Sequence, residues 1–213
     1  MKCLTNADEI IINNVEMTEL IARKKQEKRK AIMDSAYALF IKKGVSRTSI
    51  AEICKNAGVA KGTFYLYFKD KDDILRALTK RISATILKRA YDKVPADSPS
   101  FVESAVIMAD YLMDLFNEEP DLVHLLRKDF VFPITEEEFM HTEEPTMSTI
   151  RNDIMKFSKE CKLTCHQIVI RLYSLLSMIC AVSYSCVEDH FPDDLSAMKK
   201  DIFAMIRGSF YPL

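Results

Sequence analysis

Apolar side chains recur along this chain at three- and four-residue spacing, the period of an α-helix, and strong helix formers fill the positions between them. The spacing predicts a helix over residues 18–43, with Ile32, Ala36, Leu39 and Phe40 on one face and Lys or Arg on the others. Lys42 and Lys43 oppose the negative end of its dipole, and Gly44 supplies a left-handed stop. Ser49 and Glu52 then stand at capping-box spacing ahead of Ile50, Ile53 and Ala57, which predicts a helix of two turns closed by Gly58. A third short helix is expected over 61–68. Asp70 can cap a longer fourth one carrying Ile74, Leu75, Leu78, Ile82 and Ile86.

Beyond the Asp97-Ser-Pro-Ser100 linker, helices are expected at about 100–117, 120–130, 145–161, 164–187 and 193–210. Pro120 and Pro145 suit first turns, where a missing N–H costs nothing. Residues 135–144 form an acidic connecting segment, and residues 1–17 show no periodicity. The fold class is therefore all-α. The expected organisation is an arm without assigned structure and open to disorder over 1–22, three short helices over 23–70, and a helical body over 71–213.

Composition sharpens this picture through charge. The net charge of −1 conceals 18 Lys and Arg against 6 Asp and Glu between residues 23 and 89, and 12 against 25 elsewhere. A basic head on an acidic body points to a polyanionic partner for the head. The six cysteines, at 3, 54, 161, 165, 180 and 186, show no disulfide-framework spacing and several lie in apolar helical runs, which fits reduced thiols in a cytoplasmic setting. Residues 1–14 lack the charged start, long apolar stretch and small-residue cleavage site of a secretory leader, so none is expected. The most apolar stretch, 168–187, is interrupted by Arg171 and several serines, so it is expected to be a buried helix with no membrane partner.

Two short helices joined at Ala57-Gly58-Val59 have helix-turn-helix spacing, with Ile53, Val59 and Phe64 as a mini-core and small Cys54 allowing close approach. The continuation, Val59-Ala-Lys-Gly-Thr-Phe-Tyr-Leu-Tyr-Phe-Lys-Asp-Lys71, resembles the signature of the TetR family of transcriptional regulators, and the resemblance runs without a gap from about Ala31 to Leu78. It implies an N-terminal helix-turn-helix domain joined by a long fourth helix to a C-terminal ligand-binding and dimerisation domain. Lys61, Gly62 and Thr63 would then open the recognition helix in the major groove, where Lys can reach a guanine edge and Gly permits close approach. Tyr65 and Tyr67 would present hydroxyls to phosphates or rings to thymine methyls, with core filling as the other role open to them. Lys71 would meet a phosphate, and Thr48 and Ser49 backbone oxygens of the DNA. Two departures stand out. Ala60 leaves the recognition helix without a side-chain cap, and Ala51 replaces a longer polar residue. Arg23, Lys24 and Lys25 form a basic run that either adds DNA contacts or is simply solvated.

In the body, Ile168, Leu172, Leu175, Ile179, Val182 and Cys186 repeat at heptad spacing, beside a second stripe of small Ser174, Ser177, Ala181 and Ser185. The resemblance implies a homodimer through the last two helices, so that two recognition helices sit about 34–36 Å apart on a palindromic double-stranded operator. It also implies a small-molecule inducer of unknown identity, with the long fourth helix as lever. Tyr111, Phe116, His124, Phe130, Met155 and Tyr173 are the candidate pocket residues, each also able to serve as ordinary core, and His124 as a half-buried histidine with its own partner. No cofactor is expected. Cys161, Cys165 and His166 lack the further ligands of a tetrahedral metal site, though a thiol-based redox sensor stays open. No phosphate loop, nucleophile elbow or paired catalytic histidine marks an enzyme. A ligand-independent DNA-binding or scaffolding protein is the other alternative.

Overall fold

The computed structural model describes residues 6–126 and 145–210, with side chains described from residue 17 onward. Among these residues the chain is all-helical. The helices are α1 (Asn6–Lys43), α2 (Ile50–Asn56), α3 (Lys61–Tyr65), α4 (Lys71–Tyr91), α5 (Phe101–Glu118), α6 (Pro120–Leu126), α7 (Pro145–Cys161), α8 (Cys165–Asp189) and α9 (Leu195–Ser209). The acidic segment at 135–144 lies outside the described residues.

Local chemistry accounts for most of the boundaries. Gly44 and Gly58 adopt φ of +82° and +66°, the left-handed region that ends α1 and α2. At Gly58 the stop is a full Schellman motif, in which Val59 N–H reaches the Cys54 carbonyl at 3.0 Å and Gly58 N–H the Lys55 carbonyl at 3.3 Å. Ser49 and Glu52 form the reciprocal capping box of α2, and Thr164 and Gln167 that of α8. The Asp73 N–H donates to Asp70 Oδ1 at 2.7 Å, while Asp73 Oδ2 accepts from the Lys69 N–H at 2.9 Å.

One difference concerns the start. The region expected to be an arm continues α1 back to Asn6. No Gly or Pro occurs before Gly44, so nothing in the backbone chemistry breaks the helix there. The positions from Met17 to Ala31 are all exposed, so this stretch draws nothing from tertiary burial.

The chain divides into two compact units, Met1–Leu75 and Arg76–Leu213. The division falls inside α4 rather than at 70/71, because the first turn of that helix is tied to its own unit: Ile74 is fully buried and Lys71 bonds to the segment after α1. The first unit buries Ile32, Ala36 and Phe40 of α1, Ile53 and Cys54 of α2, and Phe64 and Phe68 in and after α3. Each such aliphatic or aromatic side chain contributes roughly 1.5–3 kcal/mol on burial.

In the second unit one core runs from Ile86 to Phe210, with Leu112, Met113, Phe116, Ile154, Ile168 and Ile206 at most 1% exposed. Helix α8 packs on α5, α6, α7 and α9. Of its heptad seam, Ile168, Leu175, Ile179 and Cys186 are buried and Leu172 and Val182 partly so. The opposite stripe of Ser174, Ser177 and Ala181 is exposed, as are Ile170 and Tyr173. The helix expected to be buried is therefore buried along one side only. By length and composition it alone of the described helices could cross a membrane. Two ion-paired staples join α9 to α5: Lys199 Nζ lies 2.6 Å from both Asp110 and Asp114, and Arg207 grips Glu103 with two bonds of 2.7 and 2.8 Å.

Candidate nucleic-acid interface and apolar cavity

Inside the first unit, the angle between α2 and α3 is held from within. Ile53 and Phe64 are fully buried, Phe64 meets Phe68 at a ring separation of 5.7 Å, and the buried Ser35 hydroxyl of α1 donates to the Ile53 carbonyl at 2.8 Å. Val59, expected in the same mini-core, is half-buried. With those anchors turned inward, the rest of α3 faces outward. Lys61 and Gly62 are exposed, Thr63 and Tyr67 half-buried, and Tyr65 is 51% exposed. The Ala60 position makes no side-chain cap. A Cβ on Gly62 would meet nothing within 4 Å, so the fold has no need of a glycine there although it weakens a helix.

Two of the expected phosphate ligands are engaged internally. The Thr48 hydroxyl is buried and donates to the Gly44 carbonyl at 2.9 Å. Lys71 Nζ donates to the carbonyls of Val45 at 2.8 Å and Thr48 at 3.2 Å, pinning the start of α4 to the segment between α1 and α2. The Val45 carbonyl also accepts from the Thr48 N–H at 3.2 Å, so the ammonium braces a turn, and sequence spacing alone gives no hint of a partner 26 residues away. Ser49 stays exposed, with its hydroxyl donating to Glu52 Oε2 at 2.8 Å. Glu52 is held near a pKa of about 2 by the Lys43 ammonium at 2.5 Å and then by the N–H and hydroxyl of Ser49. One surface residue that the sequence reading gave no role is Leu66, 76% exposed beside Tyr65.

In the second unit a partly open apolar cavity of about 70 Å³ lies among α4, α5, α7, α8 and α9. Leu87, Leu112, Ile150, Leu175 and Ile179 form much of its wall. Its polar features are Ser104 and a pair formed by Tyr91 and Asp153, in which the phenol donates to Asp153 Oδ2 at 2.7 Å. Burial, then the bond to Asp153 and its negative charge, push the Tyr91 phenol up to about 12. Phe101 closes one side, stacked on Phe157 at 4.6 Å and edge-on to Phe210 at 5.7 Å.

The side chains expected to form a pocket lie elsewhere. Phe116 is core and Tyr111 packs on that core with Lys93 Nζ 5.6 Å from its ring centre. Met155 and Tyr173 are 42% and 52% exposed. His124 Nε2 lies 2.7 Å from Glu188 Oε2, and its ring meets Tyr184 edge-on. Phe130 falls outside the described residues. Helical geometry explains the miss: each residue turns about 100°, so Tyr111 and Tyr173 point away from the neighbouring Leu112 and Leu172 that do line the cavity. Cys161 and Cys165 are half-buried, and none of the described cysteines forms a disulfide. No group of three or more His, Cys, Asp or Glu side chains among the described residues could hold a metal ion.

An outward-facing recognition helix, set by a Schellman turn on a capped scaffold helix, places the first unit among helix-turn-helix DNA-binding domains. Residues 32–78 match the family of bacterial regulatory proteins named tetR, so the first unit carries a domain of that family. It is 40% identical over 85 residues to the HTH-type transcriptional regulator AcrR of Shigella flexneri, a match that covers 38% of this chain and 40% of that protein. Beyond that protein, the chain spans as little as 38% and as much as 54% of the length of curated relatives it matches. Among solved structures, a putative tetR family transcription regulator from Shewanella sp. PV-4 shares the fold at a TM-score of 0.61 and 17% identity, covering 87% of this chain and 99% of that one. The regulator FadR from Bacillus subtilis, solved in complex with stearoyl-CoA, does so at 0.56 and 18%, covering 85% and 99%. These relatives are transcriptional regulators, not enzymes.

Proposed function

We propose that this protein is a transcriptional repressor that binds a palindromic operator as a homodimer and is released from it by a small-molecule inducer held in the second unit. The observation that carries the reading is the outward face of α3, where Lys61, Gly62, Thr63 and Tyr65 share one surface while Phe64 is fully buried. Lys61 suits a guanine edge, Tyr65 and Leu66 suit phosphate and thymine methyl, and Gly62 leaves room for a phosphate backbone. Ser49 and the exposed Arg47 add further polar contacts on the same unit.

Dimerisation is supported by the exposed stripe of α8, in which Ser174, Ser177 and Ala181 permit close helix approach and Ile170 and Tyr173 supply apolar area. Exposed Met205 extends the apolar surface on α9. Ligand binding is supported by the partly open apolar cavity, whose volume is about half of the roughly 150 Å³ that accepts a benzene. The cavity therefore opens as a ligand enters, and that opening is what links occupancy to DNA affinity. A DNA-bound repressor of this kind works in the cytoplasm.

The test is the affinity of the purified protein for DNA upstream of its own gene across a salt series, beside a Lys61→Ala, Tyr65→Ala variant. Selective, salt-sensitive binding that the variant loses is expected. Affinity equal to that for random DNA, or unchanged in the variant, would overturn the assignment of α3.

A further inference from the structure

A cavity of about 70 Å³ offers about half the room that a benzene needs, so a ligand can enter it only by moving part of the wall. Much of that wall is dense core. Leu87, Leu112, Ile179 and Ile206 are at most 3% exposed, and displacing any of them would sacrifice packing on every side. Toward Ser104 and the Tyr91–Asp153 pair the wall is polar, and growth there gains no apolar contact.

Phe101 differs, because a second void lies behind it. Its ring stacks on that of Phe157 with centres 4.6 Å apart and planes 16° from parallel. Phe101 lines the cavity, whereas Phe157 lines a separate, half-open groove of about 480 Å³. Buried Phe210 meets both rings edge-on, at 5.7 and 5.8 Å, and lines the groove as well. Along this line the two voids are divided by a pair of half-buried rings, and the outer ring has open space into which a side-chain rotation can carry it. The charged side chains of the groove are Glu103, Glu160, Lys162 and Arg207, two acids against two bases, so it favours neither ionic sign.

We infer that the cavity and the groove are two chambers of one ligand site, that the Phe101–Phe157 stack is the wall that parts, and that Phe157 sets how long a ligand the site accepts. The inference rests on the cavity being the inducer site and says where that cavity grows. Selection then works on length and cross-section at the stack rather than on charge.

Cys161 supplies a readout. It lies one turn after Phe157 on α7, is half-buried and lines the groove, while half-buried Cys165 lines neither void. Decan-1-ol, uncharged and too long for the closed cavity, is the probe, added to the full chain without DNA. Saturating decanol should slow iodoacetamide labelling of Cys161 roughly fivefold or more, read by peptide mass spectrometry, and leave Cys165 within about twofold of its rate. That measurement needs no substitution. In calorimetric titration Phe157→Leu, which keeps an apolar side chain and removes the stack, should bind decanol about threefold to tenfold more tightly than the parent, the range that one aromatic pair represents. Met155→Ala, exposed on the same helix and in neither lining, should match the parent. Bound decanol with Cys161 labelled at its original rate, or Phe157→Leu binding no more tightly than the parent, would overturn the inference and leave a ligand site that grows elsewhere. Absence of decanol binding in both the parent and Phe157→Leu would refute the ligand site itself.

Discussion

Replacing Lys71 by Met separates two roles that one lysine could play at the start of α4. The methionine keeps the apolar stem and deletes the ammonium, so the Val45 and Thr48 carbonyls, now 2.8 and 3.2 Å from Nζ, lose a shared charged donor. Hydrogen bonds to charged groups contribute about 1.5–3 kcal/mol when well shielded. Lys71 is only half-buried and the second bond is long, so about 1–2 kcal/mol is the expected net loss for the pair. That corresponds to a rise of roughly 5- to 30-fold in local opening. Hydrogen–deuterium exchange read by mass spectrometry over residues 44–56 should show it, with exchange in α8 unchanged. The salt dependence of operator binding should keep its slope, because an internally engaged ammonium releases no counterion from DNA. A slope reduced by about one, with exchange over 44–56 unaltered, would refute the structural assignment and return Lys71 to the phosphate backbone.

Glu52 has a folded pKa lowered from 4.5 to about 2, so its stabilising contribution is complete above about 4.5 and disappears as the pH falls toward 2. Glu52→Gln should melt below the parent at neutral pH and match it near pH 2 in thermal scans; a constant difference would contradict the ion-pair explanation. Gly62→Ala should stabilise the first unit by about 0.5–1 kcal/mol, since its Cβ meets open space, yet weaken operator binding; unimpaired binding would remove the need for close DNA approach at that residue. Lys199→Met breaks both bonds to Asp110 and Asp114 and should lower stability by about 1 kcal/mol in urea titrations, with DNA affinity of the folded protein unchanged. Ala181→Glu, placed in the exposed small-residue stripe of α8, should shift sedimentation toward monomer while preserving the far-UV circular dichroism of the chain.

The first unit was legible because its instructions are local. Ser49 and Glu52, Gly58, and Asp70 with Asp73 each act within three or four residues, so spacing alone locates the turns and caps. The heptad of α8 also told which side would pack. Distance along the chain is what hid the rest. The Lys71 contacts reach back 26 and 23 residues, and the Tyr91–Asp153 pair spans 62. Helical periodicity reports that a side chain belongs to an apolar face; it does not say whether that face meets another side chain or a void. For that reason Phe116 and Tyr111 stood as candidates, although it is Leu112 and Met108 that line the cavity.

Helix α3 has five residues and no side-chain cap, too few to persist as an isolated helix. Its shape is imposed by the Gly58 turn and by Phe64 and Phe68, whose side chains are both buried. The letters that would read DNA are therefore written on a surface whose form does not depend on them. On the proposed reading, exchanging Lys61, Thr63, Tyr65 or Leu66 one at a time would change the target sequence while the scaffold stays folded, so operator preference and stability would evolve along separate tracks.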